Sequence, residues 1–178
     1  MTRLYTVGHS NRTLAALLEL LQAAGIRTLV DVRARPRSGR FPHFNADSLE
    51  QGLAAQGRVY RWAGRGLGGM RRARPDSPHA ALGDGLRGYA DYMDTSAFRR
   101  AVAELVELSA QAPTAIMCAE RDPLQCHRSL ISDYLMHQGV EICHLIAPGT
   151  QRGHLLRPEA RPTSAGLVYD RHAQGELL

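Results

Sequence analysis

The sequence predicts a three-layer α/β domain with a mainly parallel sheet of about five strands and helices on both faces. Three observations support this. Short apolar runs alternate along the chain with segments of helical apolar spacing, each helical segment is long enough to cross back over a sheet, and most runs end in breaker-rich or polar junctions. A strand followed by a helix and another strand returns in the same direction by a right-handed crossover, so such a chain builds a parallel sheet covered on both sides.

Leu4 to Val7 is the first strand, ending in Gly8-His9-Ser10. Leu14, Leu17, Leu18 and Leu21 then repeat at helical spacing over Thr13 to Ala24, and Gly25 stops that helix. Thr28 to Arg33 reads as a buried strand, followed by a loop from Ala34 to Asn45 with Pro36, Ser38, Gly39 and Pro42. Asp47 or Ser48 caps a helix to about Gln56, and Val59 to Trp62 is the third strand. Residues 64–95, with seven glycines, two prolines and five arginines, read as a long irregular connection.

Ser96 is the expected cap of a helix carrying Phe98, Val102, Leu105, Val106 and Leu108, and Pro113 precedes a strand from Thr114 to Cys118. Asp122-Pro123 is a cap with proline in the first turn, opening a helix that runs through Leu130, Ile131, Tyr134 and Leu135 to Gly139. Val140 to Ile146 is the fifth strand. The expected domain is single, residues 1–178, with 147–178 a loop-rich tail packed on it and one apolar patch at Leu167-Val168-Tyr169.

The composition narrows the function classes. No apolar stretch is long enough to span a membrane and no secretory signal opens the chain, so a soluble cytoplasmic protein without a membrane partner is expected. Three cysteines are too few for a disulfide framework, and a reducing compartment keeps them as thiols. All 22 basic residues are arginine, and the net charge of +5 favours anionic partners: a phosphorylated small molecule, a nucleotide or nucleic acid. Neither a cofactor nor an oligomeric state is specified.

In a parallel sheet, ligands bind beyond the carboxyl ends of the strands. His9 and Ser10 follow strand one, Asp31 and Arg33 end strand two, Gly64 to Gly69 follow strand three, and Cys118, Glu120 and Arg121 follow strand four. The densest segment, Cys118 to Arg128, carries two thiols, an imidazole, two carboxylates and two guanidiniums around a helix start, where anions are favoured and thiol pKa values fall. Cys126 is expected about one turn inside that helix, either as a thiolate nucleophile beside His127 and Arg128 or as part of the apolar stripe with Leu130 and Tyr134.

Cys118 is read as an alternative nucleophile, a resolving thiol or a core residue, and Cys143 as core. His9, Asp31 and Glu120 are candidates for proton transfer, with ion pairing the other reading of Asp31 and Glu120. Ser10, Arg33, Arg121, His127, Arg128, Gly68 and Gly69 are candidates for substrate binding. The spacing of Cys118, Cys126 and His127 matches no standard zinc module, so no metal is assigned.

The segments Thr6 to Ser10, Val30 to Arg33 with Pro36 and Ser38, Leu67 to Gly69, and Cys118, Glu120, Pro123, Cys126, His127 and Arg128 together resemble a bacterial family, domain of unknown function 488. The resemblance covers about residues 4 to 146 and implies one compact α/β domain with these motifs grouped as its site. It supplies no activity, cofactor or catalytic assignment. Val30 to Arg33 is also similar to a rhodanese-like sulfurtransferase motif, but Glu120 and Asp122 follow Cys118 where that family cradles an anion.

Two functions follow as expectations. The first is an enzyme acting on an anionic substrate, a thiol- or carboxylate-dependent hydrolase or transferase with Arg33, Arg121 and Arg128 on the anion. The second is a nucleic-acid-binding module in which Arg65, Arg71, Arg72, Arg74 and Arg87 track phosphates while Trp62, Tyr89 and Tyr92 stack bases. On the first reading His9, Asp31, Arg33, Cys118, Glu120, Cys126 and Arg128 line one cleft.

Overall fold

The computed structural model describes residues 2–172; positions 173–178 of the expected tail lie outside the described residues. The elements are β1 (Arg3–Gly8), α1 (Leu14–Ala23), β2 (Thr28–Asp31), α2 (Ala46–Ala54), β3 (Val59–Trp62), α3 (Gly64–Leu67), α4 (Asp84–Met93), α5 (Ser96–Gln111), β4 (Thr114–Cys118), α6 (Arg128–His137), β5 (Glu141–Ala147), β6 (Thr150–Gly153), β7 (Ala160–Thr163) and β8 (Gly166–Tyr169). Six strands form one sheet in the order β3-β2-β4-β1-β5-β6, parallel except for the β5–β6 pair, and β7 and β8 form a separate hairpin. The α/β class with helices on both faces is therefore observed, with one strand more than the five read from the sequence. No helix among the described residues is long and apolar enough to cross a membrane.

The strand alternation divides the core in two. Leu29, Ala115 and Met117 pack with α1 and α2 through Leu17, Leu20, Leu21, Leu49 and Leu53. Val30, Ile116 and Cys118 point the other way, against α4, α5 and α6 through Tyr89, Phe98, Val102, Leu130 and Ile131. Crossovers from β1 to β2 and from β2 to β3 step one way along the sheet over the first face, and those from β3 to β4 and β4 to β5 step back over the second. A single crossover hand requires that division. The direction of travel reverses between the neighbours β1 and β4, which makes the space above them the topological switch point.

Two local readings are corrected. Residues 64–95 are not wholly irregular: α4 occupies Asp84–Met93, with Tyr89, Ala90 and Met93 buried. Its glycines disguised it, yet Gly88 is there because the backbone of Arg71 crosses so close that a Cβ would overlap it. The segment after Asp122-Pro123 is also not one helix. Asp122 caps a single 3-10 turn, Pro123–Gln125, through Leu124 N at 3.0 Å, and Cys126 is then extended before α6 begins at Arg128. One cap satisfies one turn, and the break turns Cys126 toward β4.

The tail is tied down by a buried hydrogen-bonded chain. Asp133 of α6 accepts from Tyr169 Oη at 3.0 Å, His154 Nε2 at 2.7 Å and the Arg157 amide at 3.1 Å. With His154 donating through Nε2, its Nδ1 accepts from His144 Nε2 at 2.9 Å, and His144 Nδ1 accepts from the Thr6 hydroxyl at 2.7 Å. A carboxylate fully buried in this way depends on all its donors. Tyr169→Phe, which removes one without changing the packing, is expected to lower stability by about 1–3 kcal/mol; urea unfolding of the two proteins measures it.

Candidate functional site

The loops after β1, β2 and β4 enclose a cleft of about 810 Å³ at the switch point, lined by residues that include His9, Ser10, Asn11, Arg33, Ser38, Gly69, Glu120 and His127. The β1 and β4 ends are held together past the sheet by His9 N to Cys118 O at 3.0 Å and Ser10 N to Ala119 O at 2.8 Å. Gly8 permits that approach, since a Cβ there would overlap the Glu120 carbonyl. Ser10, with φ of 48°, then turns the chain in the left-handed region.

The wall of the cleft is built on an ion pair. Arg33 grips the fully buried Asp31 with Nε to Oδ1 at 2.9 Å and Nη2 to Oδ2 at 2.7 Å, and Tyr60 Oη donates to the same carboxylate at 2.7 Å. Arg33 Nη2 also reaches Phe44 O at 2.7 Å, and its Nη1 lies 3.3 Å from His9 Nε2. His9 Nδ1 is 2.9 Å from Ser10 O, which only accepts, so Nδ1 carries the hydrogen and Nε2 accepts from Arg33. Burial, opposed by the bond to Ser10 O and reinforced by the Arg33 charge, holds the His9 pKa below its ordinary value. The ring is neutral and stacks on Phe44 at a centroid distance of 4.4 Å.

His127 closes the opposite side. Its Nε2 donates to Val32 O at 3.0 Å, its ring lies 4.8 Å from that of Tyr89, and its Nδ1 sits against Gly69, where a Cβ would come within 2.9 Å. Burial is the main cause that lowers its pKa to about 4.

Behind the Glu120 turn lies a second cluster. Cys118 Sγ, at the end of β4, and Cys126 Sγ are 2.8 Å apart, and Cys118 is also 3.8 Å from Glu120 O. Cys118 is buried and Cys126 half-buried. Their pKa values diverge: the hydrogen bond between them, burial and mutual repulsion push Cys118 up, while Cys126, accepting that bond and lying near the Arg128 charge, is drawn down. Arg128, 1% exposed, donates through Nη2 to the carbonyls of Glu120 and Arg121 at 3.1 and 3.2 Å.

The structure thus brings His9, Ser10, Arg33, Gly69, Glu120 and His127 to one cleft and sets Asp31, Cys118, Cys126 and Arg128 outside its lining. The expectation that all seven chemistry-bearing residues line the cleft is met only in part. Asp31 is sealed under Arg33, so it positions that guanidinium and has no face toward a substrate. Gly68 and Arg121 are also outside the lining; Arg121 is exposed and donates to Asn11 at 3.1 Å. Cys143 donates to Gln151 at 3.2 Å on the far edge of the sheet and is half-buried, not core. Among the described residues no group of three His, Cys, Asp or Glu side chains is gathered for a metal ion.

Sequence reasoning missed the arginines that matter most here. Arg35, Arg37 and Arg40 line the cleft beside Arg33, and among the described residues none of the three forms an ion pair. The signal was present as four arginines within eight positions directly after a buried strand. Several arginines of the long connection are instead spent within the fold. Arg71 stacks on Tyr92 at 3.8 Å and donates to Gly68 O and Arg65 O, Arg74 lies 3.6 Å from Asp91, and Arg87 donates to Leu82 O. Tyr89 is fully buried with its hydroxyl on Leu67 O, so it offers no face to a base.

The chain matches the family described as Domain of unknown function DUF488 over residues 13–135. It belongs to that family. No curated protein and no solved structure matches it. Within this DUF488 chain the matched span takes in the Asp31–Arg33 pair, the arginine loop, Glu120 and both clustered thiols, while β1 and the tail lie outside it.

Two outcomes are expected. Asp31→Ala leaves a buried guanidinium without its carboxylate and should cost about 3–5 kcal/mol in urea unfolding. The histidines set a pH dependence: an unfolded histidine titrates near 6.5, whereas His127 titrates at about 4 and His144 at about 3. Below pH 6.5 the unfolded chain takes up protons that the fold refuses, so this stability is full above 6.5 and declines as pH falls, toward 4 for His127 and on toward 3 for His144. An NMR titration should find both rings still neutral at about pH 5.5, where an unperturbed histidine is mostly charged.

Proposed function

We propose that this protein is an enzyme that binds an anionic small molecule, phosphorylated or nucleotide-like, in the cleft at the carboxyl edge of its sheet. One observation carries the reading: Arg33, Arg35, Arg37 and Arg40 line a single cleft in which Glu120 is the one lining carboxylate. Arg33 already has its counter-charge in Asp31, but Arg35, Arg37 and Arg40, which form no ion pair among the described residues, repel each other until a counter-charge arrives, and a phosphate offers each of these three a charge-assisted, often bidentate hydrogen bond. The volume of about 810 Å³ suits a molecule of nucleotide size.

The division of labour follows from the geometry. Arg37 and Arg40 are exposed and supply charge, whereas Arg33, clamped by Asp31, supplies a fixed direction. Ser10, Asn11 and Ser38 add neutral polar groups to the lining. His9, with both ring nitrogens committed to Ser10 O and Arg33, holds Arg33 in place, and His127 lines the cleft without adding charge. In this reading Glu120, the one carboxylate of the lining, exchanges a proton with the bound substrate, in keeping with a hydrolase or transferase.

Calorimetric titration with inorganic pyrophosphate and with a nucleoside diphosphate at low ionic strength tests the binding. Arg37→Ala and Arg40→Ala are each expected to weaken it about tenfold, the loss of one charge-assisted bond, and added salt should weaken the wild type further. Glu120→Gln should retain binding and lose whatever release or transfer of phosphate the wild type catalyses. Absence of binding by the wild type, or affinities unchanged in both arginine variants, overturns the reading.

A further inference from the structure

The Cys118, Cys126 and Arg128 cluster stands apart from the cleft and is not used by the function proposed above. We infer that Cys118 and Cys126 are a dithiol centre for thiol–disulfide exchange, in which Cys126 attacks as a thiolate and Cys118 resolves the mixed disulfide.

The first support is geometric. The two sulfurs are 2.8 Å apart, so bonding requires about 0.8 Å of further approach to reach a disulfide length. Each is anchored independently. Cys118 sits in the β1–β4 ladder opposite Gly8, with its carbonyl held by the His9 amide. The Cys126 carbonyl accepts from the Ser129 hydroxyl at 2.9 Å and the Ser129 amide at 3.1 Å. Neither thiol is free to drift from the other.

The second support is an unpaired charge. Arg128 is 1% exposed, its hydrogen bonds go to two neutral carbonyls through Nη2 alone, and its Nε and Nη1 are buried with no partner. A buried guanidinium without a counter-charge is costly, and among the described residues no carboxylate pairs with it. A thiolate at Cys126, two positions before Arg128 at the start of α6, supplies that charge, and the Arg128 charge in turn draws the Cys126 pKa down. The buried Cys118 thiol donates its hydrogen to that thiolate. Exposure follows the same order, with the attacking sulfur half-buried and the resolving one covered.

The co-reactant is a small-molecule disulfide, R–S–S–R. The Cys126 thiolate attacks one sulfur, the R–S–S–R bond breaks, a Cys126–S–S–R bond forms, and the departing thiolate takes a proton from solvent. Cys118 then attacks Cys126 Sγ, the Cys118–Cys126 bond forms, and the second thiolate leaves with the proton given up by Cys118. Two protein thiols are oxidised by two electrons and one disulfide is reduced to two thiols.

Equilibration of the reduced full-length protein with oxidised glutathione, followed by intact mass and peptide mapping, tests this. The wild type is expected to lose two hydrogens, carry a Cys118–Cys126 cross-link and retain no glutathione on either residue. Cys118→Ser, checked for folding by circular dichroism, should stop at a stable glutathione adduct on Cys126. A second measurement needs no variant: at neutral pH iodoacetamide should alkylate Cys126 at least about tenfold faster than Cys143, whose thiol burial pushes up. Absence of the cross-link in folded wild type, or labelling of Cys126 no faster than Cys143, overturns the proposal. Neither readout depends on what binds in the arginine-lined cleft.

Discussion

The site rests on the buried pair between Arg33 and Asp31. Asp31 ends β2 and Arg33 follows two positions later, where its guanidinium folds back onto the carboxylate with both of its parallel bonds made. From there it reaches the Phe44 carbonyl beyond the arginine loop and the His9 ring beyond β1, while Tyr60 of β3 completes the carboxylate. One ion pair therefore fixes the ends of three strands and both ends of the loop that carries Arg35, Arg37 and Arg40. A buried ion pair seldom stabilises more than apolar groups of equal volume would. Its return here is a geometric one, because apolar groups cannot hold a flexible loop at set distances from two other strand ends.

A single turn separates the arginine-lined cleft from the thiol pair. Residues 119–122 follow β4 at the switch point, pressed so close to β1 that only glycine fits at position 8. Glu120 lines the cleft on one side of this turn, and its carbonyl faces Arg128 and Cys118 on the other. The turn is thus held from behind by Arg128, which donates to the carbonyls of Glu120 and Arg121. On the dithiol reading, closing a disulfide would remove the thiolate counter-charge from Arg128, which donates to the Glu120 and Arg121 carbonyls and so bears on the position of the carboxylate in the cleft.

Much of the fold was legible because it depends on periodicity and punctuation. Thr13, accepting from Ala16 N, and Gly25, with φ of 67°, mark the limits of α1 as their residue types suggest, and β4 matches its five apolar and polar positions in sequence. The failures have physical causes. The helix α4 was hidden by Gly85 and Gly88, although Leu86, Tyr89, Ala90 and Met93 recur at helical spacing; the glycine at 88 answers to a neighbouring backbone that a single segment does not reveal. The position of Cys126 was misjudged because a proline after an acidic cap signals the start of a helix but not its length. The convergence of His9, Arg33 and Glu120 followed from parallel topology, whereas the direction in which Cys118 and Arg128 point depends on strand alternation and on a break before α6.

The helix α6 shows why polarity misleads in a chain of this kind. Arg128, Ser129, Ser132 and Asp133 are all buried, so the helix lacks the wet face that its polar residues suggest. Each finds a different neighbour: Arg128 the Glu120 turn, Ser129 and Ser132 the backbone one turn back, and Asp133 the tail through His154 and Tyr169. Burying four polar side chains on one helix is tolerable only if the covering layer brings the donors and acceptors with it. The stretch from β6 to β8 does so for Asp133 and Ser129, as a sixth strand and a hairpin. The tail therefore reaches the helix that carries Arg128 at two points, since Arg157 gives its amide to Asp133 and its guanidinium to Ser129, the residue after Arg128.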